Sequence, residues 1–162
     1  MKRLILLRHG KSSWENNVLD EDRPLQKIAY DDAELVAETF GREANYNFTI
    51  WSSKANRAKT TAQLIVEKLE DQVDDFRIKD EFYTFNAAEL LKLIFKLPDL
   101  IDNMMLVGHN PAFTQLVNYF CETAELGNLP TTGLVEMEFK SDNWSSIREA
   151  KINLLLFPKN LR

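Results

Sequence analysis

Cysteine and histidine are the scarcest chemistry in this sequence: 162 residues hold one Cys and two His. A single thiol, Cys121, cannot close an internal disulfide, and no Cys/His cluster has the spacing of a zinc site. Positive charge is also short. Twenty Lys and Arg face 25 Asp and Glu, a net charge of −5, which argues against a nucleic-acid partner with its need for a basic face. No apolar run approaches the ~18–20 residues of a membrane span. Met1-Lys2-Arg3 precedes only Leu4-Ile5-Leu6-Leu7, too short a run for the core of a signal peptide, so the expected location is cytoplasmic. Repeats, low-complexity stretches and linkers rich in Gly, Pro or Ser are absent as well. The length suits one domain spanning residues 1–162.

What the sequence does have is alternation. Short apolar runs at 3–7, 48–51, 76–78 and 104–107 alternate with longer amphipathic stretches. Helices are predicted over 27–40, after Ser52-Ser53 (either serine a possible N-cap), around Leu90 to Phe95, and after Asn110-Pro111. In the last of these, Phe113, Leu116, Val117, Phe120 and Cys121 share one face, which places the Cys in the core. Later runs at 132–139 and 154–157 read as edge strands, antiparallel to the rest. The fold class is therefore α/β: a three-layer α/β/α sandwich around a mostly parallel sheet.

In such sheets ligands bind beyond the carboxyl ends of the strands. That rule selects Arg8-His9-Gly10, Ser52 to Arg57, and Gly108-His109-Asn110-Pro111, which hold both histidines and two arginines. Arg binds two phosphate oxygens with one planar fork, and neutral imidazole is a competent nucleophile near pH 7. Neighbouring arginines disfavour imidazolium and keep His9 nucleophilic. Gly10 would let backbone and phosphate approach closely. Other readings are weaker. A two-His metal site lacks a third ligand motif, neither phosphate-loop signature occurs, and Arg57 alone would pass for a solvated helix residue.

With these motifs in this order, the chain resembles the histidine phosphatase superfamily and its phosphoglycerate mutase-like fold. Arg8-His9-Gly10, Ser52 to Ala58 with Thr61-Ala62, and Gly108 to Pro111 carry the likeness. Asp22-Arg23-Pro24-Leu25 and the short length resemble its compact phosphohistidine phosphatase branch, SixA-type, with an open, shallow site. The resemblance implies that His9 is transiently phosphorylated, that Arg8, Arg57 and His109 complete the phosphate pocket, and that no metal or other cofactor takes part. Gly10, Ser12 and Asn110 are the expected substrate contacts. Glu81, on the loop ahead of Tyr83, is the candidate general acid. Lys54 replaces a proline common in relatives, and Glu15 replaces an Asn of the mutases, which weighs against mutase activity. The expected substrate is a phosphorylated protein, on phosphohistidine, or a small phosphomonoester. The rival is a noncatalytic phosphoprotein-binding module that keeps the pocket.

Overall fold

The computed structural model describes residues 1–15 and 17–162. Six strands form one sheet in the order β3-β2-β4-β1-β5-β6. They are β1 (Lys2–Arg8), β2 (Phe48–Ser52), β3 (Val73–Ile78), β4 (Asn103–Gly108), β5 (Leu134–Phe139) and β6 (Lys151–Leu156). The first four run parallel to one another. β5 pairs antiparallel with β1, and β6 antiparallel with β5 at the edge, as the late apolar runs predict.

The helices are α1 (Lys27–Glu43), α2 (Asn56–Lys68), α3 (Ala87–Phe95), α4 (Ala112–Phe120) and the short α5 (Pro158–Leu161). Strand period two divides β1 between two cores. Leu4 and Leu6 pack with Leu90 and Ile94 of α3 and with Phe113, Leu116, Val117 and Phe120 of α4. Ile5 and Leu7 pack with Val36, Ala37 and Phe40 of α1 and with Ala58, Ala62 and Ile65 of α2. All four β1 side chains are fully buried, each worth roughly 1.5–3 kcal/mol of transfer free energy. That burial explains why the chain's most apolar run is an inner strand. Helices on both faces complete the three layers. Among the described residues, no helix is long and apolar enough to cross a membrane.

Two local expectations are corrected. Cys121 is half-buried, not core, because α4 ends at Phe120 and the chain leaves the helix with Cys121 extended (φ −136°, ψ 90°). Neither Ser52 nor Ser53 caps α2: the helix begins at Asn56, behind Ala55, and both serines belong to the strand end.

Candidate active site

Because β1 and β2 both pair with β4, the three motifs leave the sheet side by side. Arg8 lies opposite Gly108 and Ser52 opposite Val107. The ladder runs one residue further on each side. The His9 N–H donates to the Gly108 carbonyl and the Ser53 N–H to the Val107 carbonyl, both at 3.0 Å. The turn before β5 holds the same segment, with the Thr132 N–H donating to the carbonyls of Arg8 (3.0 Å) and His9 (3.1 Å). Thr132 takes φ 57°, a conformation that disfavours a β-branched residue, so the turn spends local strain on fixing His9. Residues 100 positions apart thus bring their rings to 5.3 Å between centroids.

A hydrogen bond fixes the proton on the His9 ring. His9 Nδ1 lies 2.7 Å from the Gly10 carbonyl, which can only accept. Nδ1 therefore carries the hydrogen and Nε2 keeps its lone pair. Arg57 Nε donates toward that Nε2 at 3.4 Å. Burial, then the charges of Arg57, Arg8 and Arg23, push the His9 pKa down to about 3, with the Gly10 carbonyl pulling the other way. His9 is a neutral imidazole with an open nitrogen. His109 Nε2 lies 2.8 Å from Ser53 Oγ, which also accepts the Ala55 N–H at 3.2 Å. Ser53 Oγ has two lone pairs, so beside the Ala55 N–H it either donates its hydrogen to His109 Nε2 or accepts from it. Burial, followed by His9 and Arg57, pushes the His109 pKa down to about 2.

Three guanidinium groups surround these rings. Arg57 is buried, not solvated, and Arg8 donates from Nη1 to the Leu129 carbonyl at 3.0 Å. Arg23 is the third, 6% exposed, stacked 3.4 Å from the Trp14 ring and donating to Ser12 Oγ at 2.5 Å. Among the described residues Arg8 Nε, Arg23 Nε and Nη1, and His109 Nδ1 are buried and hydrogen-bonded to nothing. Arg8 Nε and Arg23 Nη1, donors without acceptors in one cluster, suit a ligand that only accepts, such as a phosphoryl group.

Gly10, Ser12 and Asn110 each have contacts within the protein. The missing Cβ of Gly10 makes room for α1: a Cβ there would stand 2.8 Å from Ala29 Cβ, and the Gly10 N–H is taken by Thr61 Oγ1. Ser12 supports Arg23. Asn110 spends its amide on Leu129 and Asn128 and its Oδ1 on the N–H and hydroxyl of Thr114. It thereby braces the carbonyl that Arg8 uses. Glu81 is exposed on the short turn Asp80–Phe82, and neither a hydrogen bond nor an ion pair joins it to the cluster among the described residues. Glu15 is likewise exposed.

The carboxylate at the site is Asp20, on the turn Asp20–Asp22. It accepts from Arg57 Nη2 at 3.0 Å and from the Tyr83 hydroxyl at 2.5 Å, and its Oδ1 lies 3.5 Å from Arg23 Nε. Burial raises its pKa, but the bonds from Tyr83 and Arg57 outweigh that and hold it below the usual carboxylate value. Tyr83, tilted, and the exposed Phe85, edge-on, pack against His109 with ring centroids at 5.3 and 5.0 Å, forming an aromatic wall beside it. Sequence reading passed over Asp20, Arg23 as a site residue, and Ser53 as a partner of His109. Only the Asp22-Arg23-Pro24-Leu25 stretch gave a signal.

Comparison with known proteins identifies the family and the fold. The sequence profile of the histidine phosphatase superfamily (branch 1) matches residues 4–83, a span with Arg8, His9 and Arg57 but without His109. An uncharacterized chloroplastic protein of Arabidopsis thaliana is 34% identical over 128 residues, 70% of this chain. The chain spans 56% of that relative's length. The structure of the SixA protein of Agrobacterium tumefaciens superposes with a TM-score of 0.81 at 26% identity, covering 97% of this chain and 98% of that one. The protein histidine phosphatase SixA complexed with tungstate has the same fold, with a TM-score of 0.78, 18% identity and 99% of each chain covered. This chain belongs to the histidine phosphatase superfamily and has the fold of its compact SixA-type members.

Proposed function

We propose that this protein is a metal-independent phosphatase that works through a phosphohistidine on His9. The observation that carries this reading is His9 itself, with Nδ1–H tied to the Gly10 carbonyl and the unprotonated Nε2 facing Arg57 Nε at a long 3.4 Å. In the first half-reaction Nε2 attacks phosphorus, the Nε2–P bond forms, and the bond to the leaving group breaks with its electron pair. Arg8, Arg23 and Arg57 balance the charge on the phosphoryl oxygens, and His109 donates through Nδ1. Water then attacks phosphorus, the Nε2–P bond breaks, and phosphate departs with the proton lost by the water.

The leaving group points to substrate class. Asp20 is ionised and Glu81 is outside the cluster, so no carboxylic acid stands ready to protonate an alkoxide. A protonated phosphohistidine leaves as neutral imidazole, whose conjugate acid has a pKa of about 6.5, and needs little help. We therefore place phosphohistidine on a protein first and small phosphomonoesters second. The cytoplasmic location expected from the sequence belongs to the same reading, whereas the similar plant protein is described as chloroplastic. Fractionation of expressing cells decides between them.

The test is hydrolysis of a chromogenic aryl phosphate in EDTA, followed by a panel of phosphohistidine protein, sugar phosphates and nucleotides. Loss of activity in His9→Ala supports the nucleophile, and undiminished activity in that variant refutes it. Tight vanadate binding without turnover on any substrate would favour the binding module instead.

A further inference from the structure

Asp20 sits among the charges of the pocket and has no step in the mechanism above. Its placement is built from both sides. The turn that carries it is docked on the start of α2: Lys54 pairs with Glu21 at 3.3 Å, the Asn56 amide reaches the Asp22 carbonyl at 3.5 Å, and Arg57 donates to Asp20 twice. Those two bonds use one edge of the guanidinium. Nη1 donates to the Asp20 backbone carbonyl at 2.7 Å and Nη2 to its Oδ2 at 3.0 Å. Nε, on the neighbouring edge, is the atom turned to His9 Nε2. A planar fork gripped along one edge cannot swing, so the other edge stays aimed where a phosphoryl group would lie.

Charge supports the same assignment. With both histidines neutral, the three guanidiniums less the Asp20 carboxylate leave the pocket two positive charges, the match of a phosphate dianion. Without Asp20 a third would remain and would hold free phosphate after turnover.

We propose that Asp20 is a positioning residue and internal counter-ion of this pocket: it clamps Arg57 toward His9 and holds down the affinity for product phosphate. The proposal rests on the phosphatase reading for its kinetic half only. Its binding half needs no turnover.

Calorimetric titration with orthophosphate and turnover of an aryl phosphate are measured on wild type and Asp20→Asn, which keeps shape and removes charge. We expect Asp20→Asn to bind orthophosphate about tenfold more tightly while kcat falls about tenfold or more. A purely structural role would weaken both together. Unchanged or weaker phosphate binding in a folded Asp20→Asn overturns the proposal. Should that variant fail to fold, Tyr83→Phe carries the test, because it frees one oxygen of the clamp and keeps the charge. It should lower kcat about threefold with phosphate affinity held within about twofold, and wild-type kcat there overturns the clamp. A wild type that binds phosphate but hydrolyses nothing, with tighter binding in Asp20→Asn, refutes the phosphatase reading and upholds the counter-ion.

Discussion

Ser53 Oγ lies 2.8 Å from His109 Nε2, and this one contact couples the tautomer of His109 to the direction of the Ser53 hydroxyl. Ser53→Ala frees the ring to take the other tautomer. It also leaves the Ala55 N–H without its acceptor, which costs about 1 kcal/mol of stability. We expect kcat to fall about tenfold to a hundredfold, the effect of weakening one donor to a phosphoryl oxygen. Nitrogen NMR of the imidazoles checks the cause: one tautomer of His109 in wild type, a mixture in the variant.

The two histidines make stability depend on acid. Their folded pKa values, about 3 and about 2, lie below the unfolded value near 6.5, so the unfolded chain binds more protons in that window. The stability they contribute is fully present above pH 6.5 and is lost as pH falls through the window toward the folded values. Thermal melts at a series of pH values should show Tm falling below about pH 6.5, and a His9→Gln, His109→Gln double variant should flatten the decline.

Arg23 is expected to bind phosphate with the fork of its guanidinium. Arg23→Ala should lower kcat/KM about a hundredfold, and Arg23→Lys should recover only a small part, because an ammonium cannot match a bidentate contact or stack on Trp14 in the same way. Full recovery by Lys would mean that Arg23 supplies charge alone.

Glu81→Gln should change kcat and KM less than about twofold, since no contact ties Glu81 to the cluster and an exposed carboxylate is screened by water. Steady-state kinetics on an alkyl phosphate, the substrate most in need of an acid, is the strictest check. A large loss there would return Glu81 to the proton-donor role.

The contrast between Glu81 and Asp20 marks where sequence stops being legible. β1, α1 and α4 announce themselves through the periodicity of residues such as Leu4 to Leu7, Ala33, Val36, Phe113 and Leu116, because local pattern and burial coincide there. The strand-end rule then finds His9, Arg57 and His109, since sheet pairing sets the ends of β1, β2 and β4 side by side and α2 starts just beyond β2. Asp20 and Arg23 lie in an aperiodic stretch between β1 and α1, where position depends on contacts with Arg57, Tyr83 and Ser12. No spacing in the sequence encodes those contacts. Glu81 is singled out by its loop alone, and a loop's place in the chain does not say which way its side chains turn. The close approach that Gly10 allows within the protein is to Ala29 of α1, a packing contact that the Arg8-His9-Gly10 tripeptide does not reveal.

The proposed mechanism turns on a covalent bond between phosphorus and His9 Nε2. The direct measurement is to mix the protein with a radiolabelled phosphohistidine protein, quench in alkali within the first turnover, and map the label. We predict an acid-labile, alkali-stable phosphoryl group on His9, lost on standing as phosphate appears and absent in His9→Ala. Steady hydrolysis with no label on His9 at any time, or the same label in His9→Ala, would contradict it.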